Sequence, residues 1–191
     1  MIDKNNITVV ILSGGRSSRM QGEDKGLILL NDKPLISYVV DVVNDKAGRL
    51  LISANRNIEK YQSYGEVIVD ELTDFQGPLA GISTALSKTN TTYLLTLPCD
   101  SPLINETVIN RLIDVMDRVD VDICVADDGL RIHPTIALIK TNLKNNLLAF
   151  LESGERKLGL WIEQNNFQKV DFSDQPKVFI NLNNPKDFDK V

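Results

Sequence analysis

Short apolar runs alternate along the chain with longer stretches in which apolar residues return every three or four positions. The runs at 7–12, 50–53, 67–69, 93–97, 123–126, 135–139 and 178–180 read as strands. The stretches 34–45, 58–64, 78–87, 106–119, 143–153, 157–164 and 185–190 read as helices. Pro34, Pro78 and Pro185 suit a first helical turn, where a missing N–H costs nothing. Gly65 fits a helix stop, and Asn105 fits the N-cap of the helix that starts at Glu106. The early strands are almost uniformly apolar, as strands of a parallel sheet covered on both faces are. The alternation predicts an α/β three-layer sandwich around a mostly parallel sheet. With no linker, repeat or low-complexity segment, residues 1–191 read as a single domain.

Ligands in such sheets bind beyond the carboxyl ends of the strands, and the polar residues gather there. After the first strand come Ser13-Gly14-Gly15, then Arg16, Arg19 and Lys25. A glycine turn followed by cations presents backbone N–H groups and positive charge to phosphates. The spacing is neither G-x-x-x-x-G-K-[ST] nor G-x-G-x-x-G, so kinase, GTPase and dehydrogenase motifs find no support. Ser53 and Asn55 follow the second strand, Asp70 the third, and Asn181 and Asn183 the last. Pro98-Cys99-Asp100-Ser101-Pro102 ends the fourth abruptly and aims Asp100 at a defined point. One rigid carboxylate beside a phosphate site suits Mg²⁺, whose other ligands are waters and phosphate oxygens. Asp100 is too far upstream to cap the helix at Glu106. Gly77-Pro78-Leu79-Ala80-Gly81 is open to two readings: close approach of a nucleobase, or tight packing of helix on sheet. His133 is the lone histidine, and no Ser-His-Asp or Cys-His pairing stands out.

Composition narrows the field. A net charge of −5 argues against nucleic acids and anionic membranes as partners, so the cations after Gly15 suit a compact anion. Cys99 and Cys124 read as buried thiols and not as a disulfide or a zinc site. The first residues do not read as a signal peptide, and no apolar run approaches a membrane span in length. A cytoplasmic protein is the expectation.

Taken in chain order, these motifs resemble those of the molybdenum cofactor guanylyltransferase family. They run from Leu12-Ser13-Gly14-Gly15-Arg16-Ser17-Ser18-Arg19-Met20 and Asp24-Lys25-Gly26-Leu27 to Lys33-Pro34-Leu35 and Ala54-Asn55-Arg56. Gly77–Gly81, Pro98–Pro102, His133-Pro134-Thr135, Gly154-Glu155-Arg156 and Asn181-Leu182-Asn183 complete the set. The resemblance implies a Rossmann-like sheet of the nucleotidyltransferase type. It implies transfer of GMP from GTP to the terminal phosphate of molybdopterin, with Mg²⁺ as cofactor and pyrophosphate as product. Leu12, Ser13, Gly14, Gly15, Lys25, Ser53, Asn55, Asp70 and Asp100 then hold the nucleotide, and Asp100 holds the metal. Arg19, Lys25 and Asp100 carry the catalysis. His133, Arg156, Asn181 and Asn183 match positions near the pterin or the metal. A monomer is expected, with transient contacts to proteins of cofactor biosynthesis or molybdoenzyme maturation. Ser53 departs from the family, which often has Asn there. Two rivals stay open at this point: a cytidylyl- or sugar-phosphate nucleotidyltransferase, and a non-catalytic nucleotide-binding module.

Overall fold

The computed structural model describes residues 1–14, 24–71, 77–183 and 187. In chain order its regular elements are β1 (Ile7–Leu12), β2 (Leu29–Leu30), β3 (Lys33–Pro34), α1 (Leu35–Val43), β4 (Arg49–Ser53), α2 (Ile58–Tyr61), β5 (Glu66–Ile68) and α3 (Pro78–Lys88). They continue with β6 (Tyr93–Pro98), α4 (Glu106–Arg118), β7 (Ile123–Asp127), β8 (Ile132–Lys140), α5 (Lys144–Glu152), α6 (Leu158–Glu163) and β9 (Phe167–Asp171).

Alternation along β1 divides the core. Val9 and Ile11 face one way, into a cluster with Ile36 and Val39 of α1 and Val108, Ile109 and Leu112 of α4. Val10 faces the other way, onto Leu79 and Ile82 of α3, Leu147 of α5 and Trp161 of α6. Val9, Val10 and Ile11 are all fully buried, and each such aliphatic side chain contributes roughly 1.5–3 kcal/mol. Helices thus cover both faces of the sheet, and the three-layer sandwich follows. Strand order is β5-β4-β1-β6-β8-β7-β9. The neighbouring pairs β5–β4, β4–β1, β1–β6 and β7–β9 are parallel, and β8 runs against both β6 and β7. Among the described residues no helix is long and apolar enough to cross a membrane.

Most expected elements hold to within a residue or so, and the exceptions have physical causes. Residues 178–180 are not a strand: a 3₁₀ turn, Pro176–Phe179, stands there, because Pro176 fixes φ and has no N–H to give a ladder. The outer strand is β9 instead, whose exposed Gln168 and Lys169 hide the apolar signature. The helix expected at 58–64 stops at Tyr61. Gly65 is not a left-handed helix stop; a Cβ there would crowd Leu50 and Ile52 at 3.2 and 3.4 Å. Pro34 closes β3 and precedes α1 by one residue. Asn105 caps α4, its Oδ1 accepting from the Val108 N–H. The helix expected at 185–190 lies, apart from residue 187, outside the described residues.

Candidate active site

The carboxyl ends of β1, β4, β5 and β6 meet the start of β8 around a cavity of about 280 Å³, close to the ~300 Å³ at which small-molecule sites begin. Register brings the first residues together: Leu12 lies beside Ser53 on one side and Pro98 on the other. The Ser13 N–H then donates to the Ser53 carbonyl at 2.8 Å. The Ser13 hydroxyl is buried without a hydrogen bond among the described residues, so the loop begins with an unspent donor. Gly14 lies against the next strand end. A Cβ at that position would sit 3.2 Å from Asn55 Nδ2 and 3.7 Å from Asp70 Oδ2. Gly15, Arg16 and Arg19 lie outside the described residues.

Ser53, Asn55 and Asp70 form one hydrogen-bonded unit. Asn55 Nδ2 donates to Asp70 Oδ2 at 2.8 Å, and the Asp70 N–H donates back to Asn55 Oδ1 at 3.0 Å. Ser53 Oγ donates to Asp70 Oδ1 at 3.3 Å. The strand-end carboxylate therefore has a fixed orientation, and Asp70 and Ser53 both line the cavity. α3 supplies the facing wall. Gly77 opens it at φ +102°, a conformation that glycine adopts at little cost and other residues only with strain. At Gly81 the limit is space: a Cβ would meet Ser53 Oγ at 2.4 Å. The structure thus shows tight packing onto β4 at Gly81, with Gly77, Pro78 and Gly81 lining the cavity.

Lys25 and Asp100 meet across the floor. Lys25 Nζ lies 3.3 Å from Asp100 Oδ2 and also donates to Asn183 Oδ1. Asp100 is only 8 % exposed; burial raises its pKa, and the charge of Lys25 works in the opposite direction. Burial, with the Asp100 charge beside it, pushes the Cys99 thiol up to about 12, so Cys99 is a neutral wall residue and no nucleophile. The segment after the 3₁₀ turn is tied to this floor. Ser101 Oγ donates to Asn181 Oδ1 at 2.5 Å, and the Leu182 N–H donates to the Asp100 carbonyl at 2.9 Å.

On the last side, β8 skips residues 134–136 in its pairing with β7, since Ala126 pairs with His133 and Val125 with Ala137. This bulge turns Thr135 into the cavity, and Thr96 Oγ1 donates to its freed carbonyl at 3.1 Å. His133 itself is buried behind the rim. It bonds Asp128 at 2.8 Å and stacks on Phe179, ring centres 4.4 Å apart. Arg156 donates to the Leu151 carbonyl at 2.9 Å at the end of α5 and is not among the described residues lining the cavity. The cluster that sequence reasoning missed is Asp24, Asn57 and Tyr61, which bond one another behind Lys25. Thirty-three and 37 residues separate the partners, too far for any local pattern to show.

The His133 contact makes a pH prediction. Burial opposes ionisation of Asp128, but the bonds from His133 and from the Arg131 and Leu130 N–H groups outweigh it and hold the carboxyl at about 2. A folded value below the unfolded one stabilises the fold above about pH 4 and is lost as the pH falls toward 2. Chemical denaturation of wild type and Asp128→Asn should show a wild-type advantage that shrinks between about pH 4 and pH 2. A constant advantage across that interval contradicts it.

Comparison with known proteins adds a second line. A profile of the MobA-like NTP transferase domain matches residues 9–169. A protein of Shewanella piezotolerans called molybdenum cofactor guanylyltransferase is 43 % identical over 94 % of this chain and 89 % of its own. One of the same name from Shewanella sediminis is 41 % identical over 94 % of this chain and 92 % of its own. Among solved structures, the molybdopterin-guanine dinucleotide biosynthesis protein A of Archaeoglobus fulgidus superposes with a TM-score of 0.80 at 23 % identity. It covers 96 % of this chain and 95 % of its own, which establishes the fold.

Proposed function

We propose, since the chain belongs to the MobA-like NTP transferase family, that it joins GMP from GTP to the terminal phosphate of a molybdenum cofactor and releases pyrophosphate. The observation that carries this reading is the Lys25–Asp100 pair on the floor of a cavity walled by the Ser13–Gly14 loop on one side and α3 on the other. An ammonium, a buried carboxylate and loop amides within one cleft are what bringing two phosphates together requires.

The acceptor is a phosphate monoester whose second pKa is about 6, so it is largely ionised at neutral pH and needs no general base. The neutral Cys99 and the withdrawn His133 fit that requirement. The barrier is electrostatic. Ser13 offers its free hydroxyl to a phosphate oxygen, and Lys25 sets a full positive charge beside it. Arg19 adds a second cation in this reading. Asp70, held by Ser53 and Asn55, is oriented to accept from the N–H edge of guanine. Thr135 and Asn181 reach the cavity from the opposite side and face the acceptor. Catalysis is then chiefly positioning and charge neutralisation.

The donor set suits Mg²⁺. Among the described residues no three His, Cys, Asp or Glu side chains converge as a protein cage for a metal. A single carboxylate beside a phosphate site matches an ion that keeps waters and phosphate oxygens as its other ligands. Asp100 would hold it, and the bound ion would neutralise charge on the triphosphate. The same reading places the enzyme in the cytoplasm as a monomer, in transient contact with proteins of cofactor biosynthesis or molybdoenzyme maturation.

A thermal-shift panel of GTP, CTP, ATP, UTP and inosine triphosphate, with and without Mg²⁺, tests it. GTP at ~100 times its dissociation constant adds ~2.7 kcal/mol, and the other nucleotides should add little. Inosine triphosphate lacks the exocyclic amine, and a site that reads that group rejects it. Equal shifts from GTP and inosine triphosphate would remove Asp70 from reading the amine. The largest shift from CTP would replace the guanylyl assignment with a cytidylyl one.

A further inference from the structure

Resting on the nucleotide reading above, we infer that Tyr61 and Asn57 are positioning residues for Lys25, acting through a buried clamp on the Asp24 carboxylate. Asp24 occupies the N-cap position of the 3₁₀ turn Lys25–Leu27, where an aspartate ordinarily bonds the turn's own amides. It makes no such bond. Its side chain points the other way, into α2, and both oxygens are taken: Oδ1 accepts from the Tyr61 hydroxyl, and Oδ2 from Asn57 Nδ2 at 3.2 Å.

The partners are themselves immobilised. Tyr61 is fully buried in the core cluster beneath the sheet. Its burial, reinforced by the neighbouring acids, raises its pKa, so the hydroxyl remains a donor at any working pH. Asn57 holds the left-handed conformation at φ +50°, which Asn tolerates better than most residues. Like Asp24 it caps nothing, although it stands at the N-cap of α2. Two residues at capping positions both spend their side chains on each other. The next link is Gly26: a Cβ there would meet the Tyr61 hydroxyl at 2.6 Å. Asp24 is therefore bonded to α2 and Gly26 packed against it, one on each side of Lys25. This fixes the backbone from which Lys25 reaches Asp100 and Asn183.

None of Asp24, Asn57 and Tyr61 lines the cavity, although the Tyr61 hydroxyl also lies beside Ser13 and Cys99, which do; the route to nucleotide through Lys25 is therefore what the test isolates. The test is a double-mutant cycle on the full chain: wild type, Tyr61→Phe, Lys25→Ala and the double variant, each titrated with Mg·GTP and with guanosine. Tyr61→Phe is expected to weaken GTP about tenfold, within the range for residues sharing a hydrogen-bond network. Guanosine, which lacks the phosphates, should change less than about twofold, and in the Lys25→Ala background the Tyr61→Phe loss should vanish. Asn57→Gly keeps the left-handed backbone and deletes the second donor; it should reproduce the pattern more weakly and covers the case in which Tyr61→Phe does not fold. The clamp is overturned if the tenfold loss persists without Lys25, if guanosine weakens equally, or if neither variant affects GTP. A wild-type chain that binds no GTP overturns the nucleotide reading itself, and the clamp with it.

Discussion

Asp100→Asn is expected to lower turnover by about a hundredfold or more, as when a preorganised charge at the reacting centre is lost. The substitution keeps the shape of the side chain and removes one charge. The protein should remain folded and melt at or above the wild-type temperature. Burial makes the ionised carboxylate unfavourable, and Lys25 offsets this only in part. The folded carboxyl therefore keeps its proton to higher pH than an unfolded one, and ionising it costs stability as the pH rises through the folded value. Asn has no such charge to bury. Two measurements check this: initial rates at saturating GTP and Mg²⁺, and melting curves near neutral pH. Near-normal rates would remove Asp100 from the chemistry. A melting temperature below that of wild type would mean that the Lys25 pair stabilises the fold more than burial costs it.

Gly81→Ala is the second large effect. The added methyl meets Ser53 Oγ at 2.4 Å, and rotating the hydroxyl away does not free it, because Ser53 Cβ and Leu12 Cδ2 both lie at 3.1 Å. α3 must lift from β4, an overpacking cost of about 1–3 kcal/mol. For a chain of this size that is a drop of roughly 2–4 °C per kcal/mol in melting temperature. GTP binding should fall with it, since Ser53 orients Asp70. Combining the change with Ser53→Gly should cost less than the two changes summed, since the clash needs both partners. Strict additivity would show that the α3–β4 contact is looser than the distances imply.

The layers, the strand-end loops and the buried thiols were legible because they rest on local chemistry. An apolar run such as Ile7–Leu12 can bury both faces only inside a sheet, and Pro98 and Asp100 can only end one. β9 was not legible, because an edge strand with Gln168 and Lys169 outward carries no apolar run. The reversal of β8 leaves no trace in its composition, since its apolar run Ile136–Ile139 reads the same in either direction. In the site, each strand end could be named one by one, but not what bonds to what. Lys25 stood out as a cation near the first strand end; its bonds to Asp100 and Asn183 did not. The Asp24 clamp was the least visible, because its three members come from a turn, a left-handed residue and a core tyrosine.

The bond from Lys25 to Asn183 spans 158 positions. A ribosome adding ~5–20 residues per second exposes the first partner roughly 8–30 s before the second. During that interval β1, β4 and β6 can already pair and assemble one half of the cleft. The tether from Asn181 through Leu182 to Asp100 does not yet exist. A nascent chain therefore has these strands in place while its Lys25 side chain is still free of Asn183. The floor of the cleft is thus the last part of it to close.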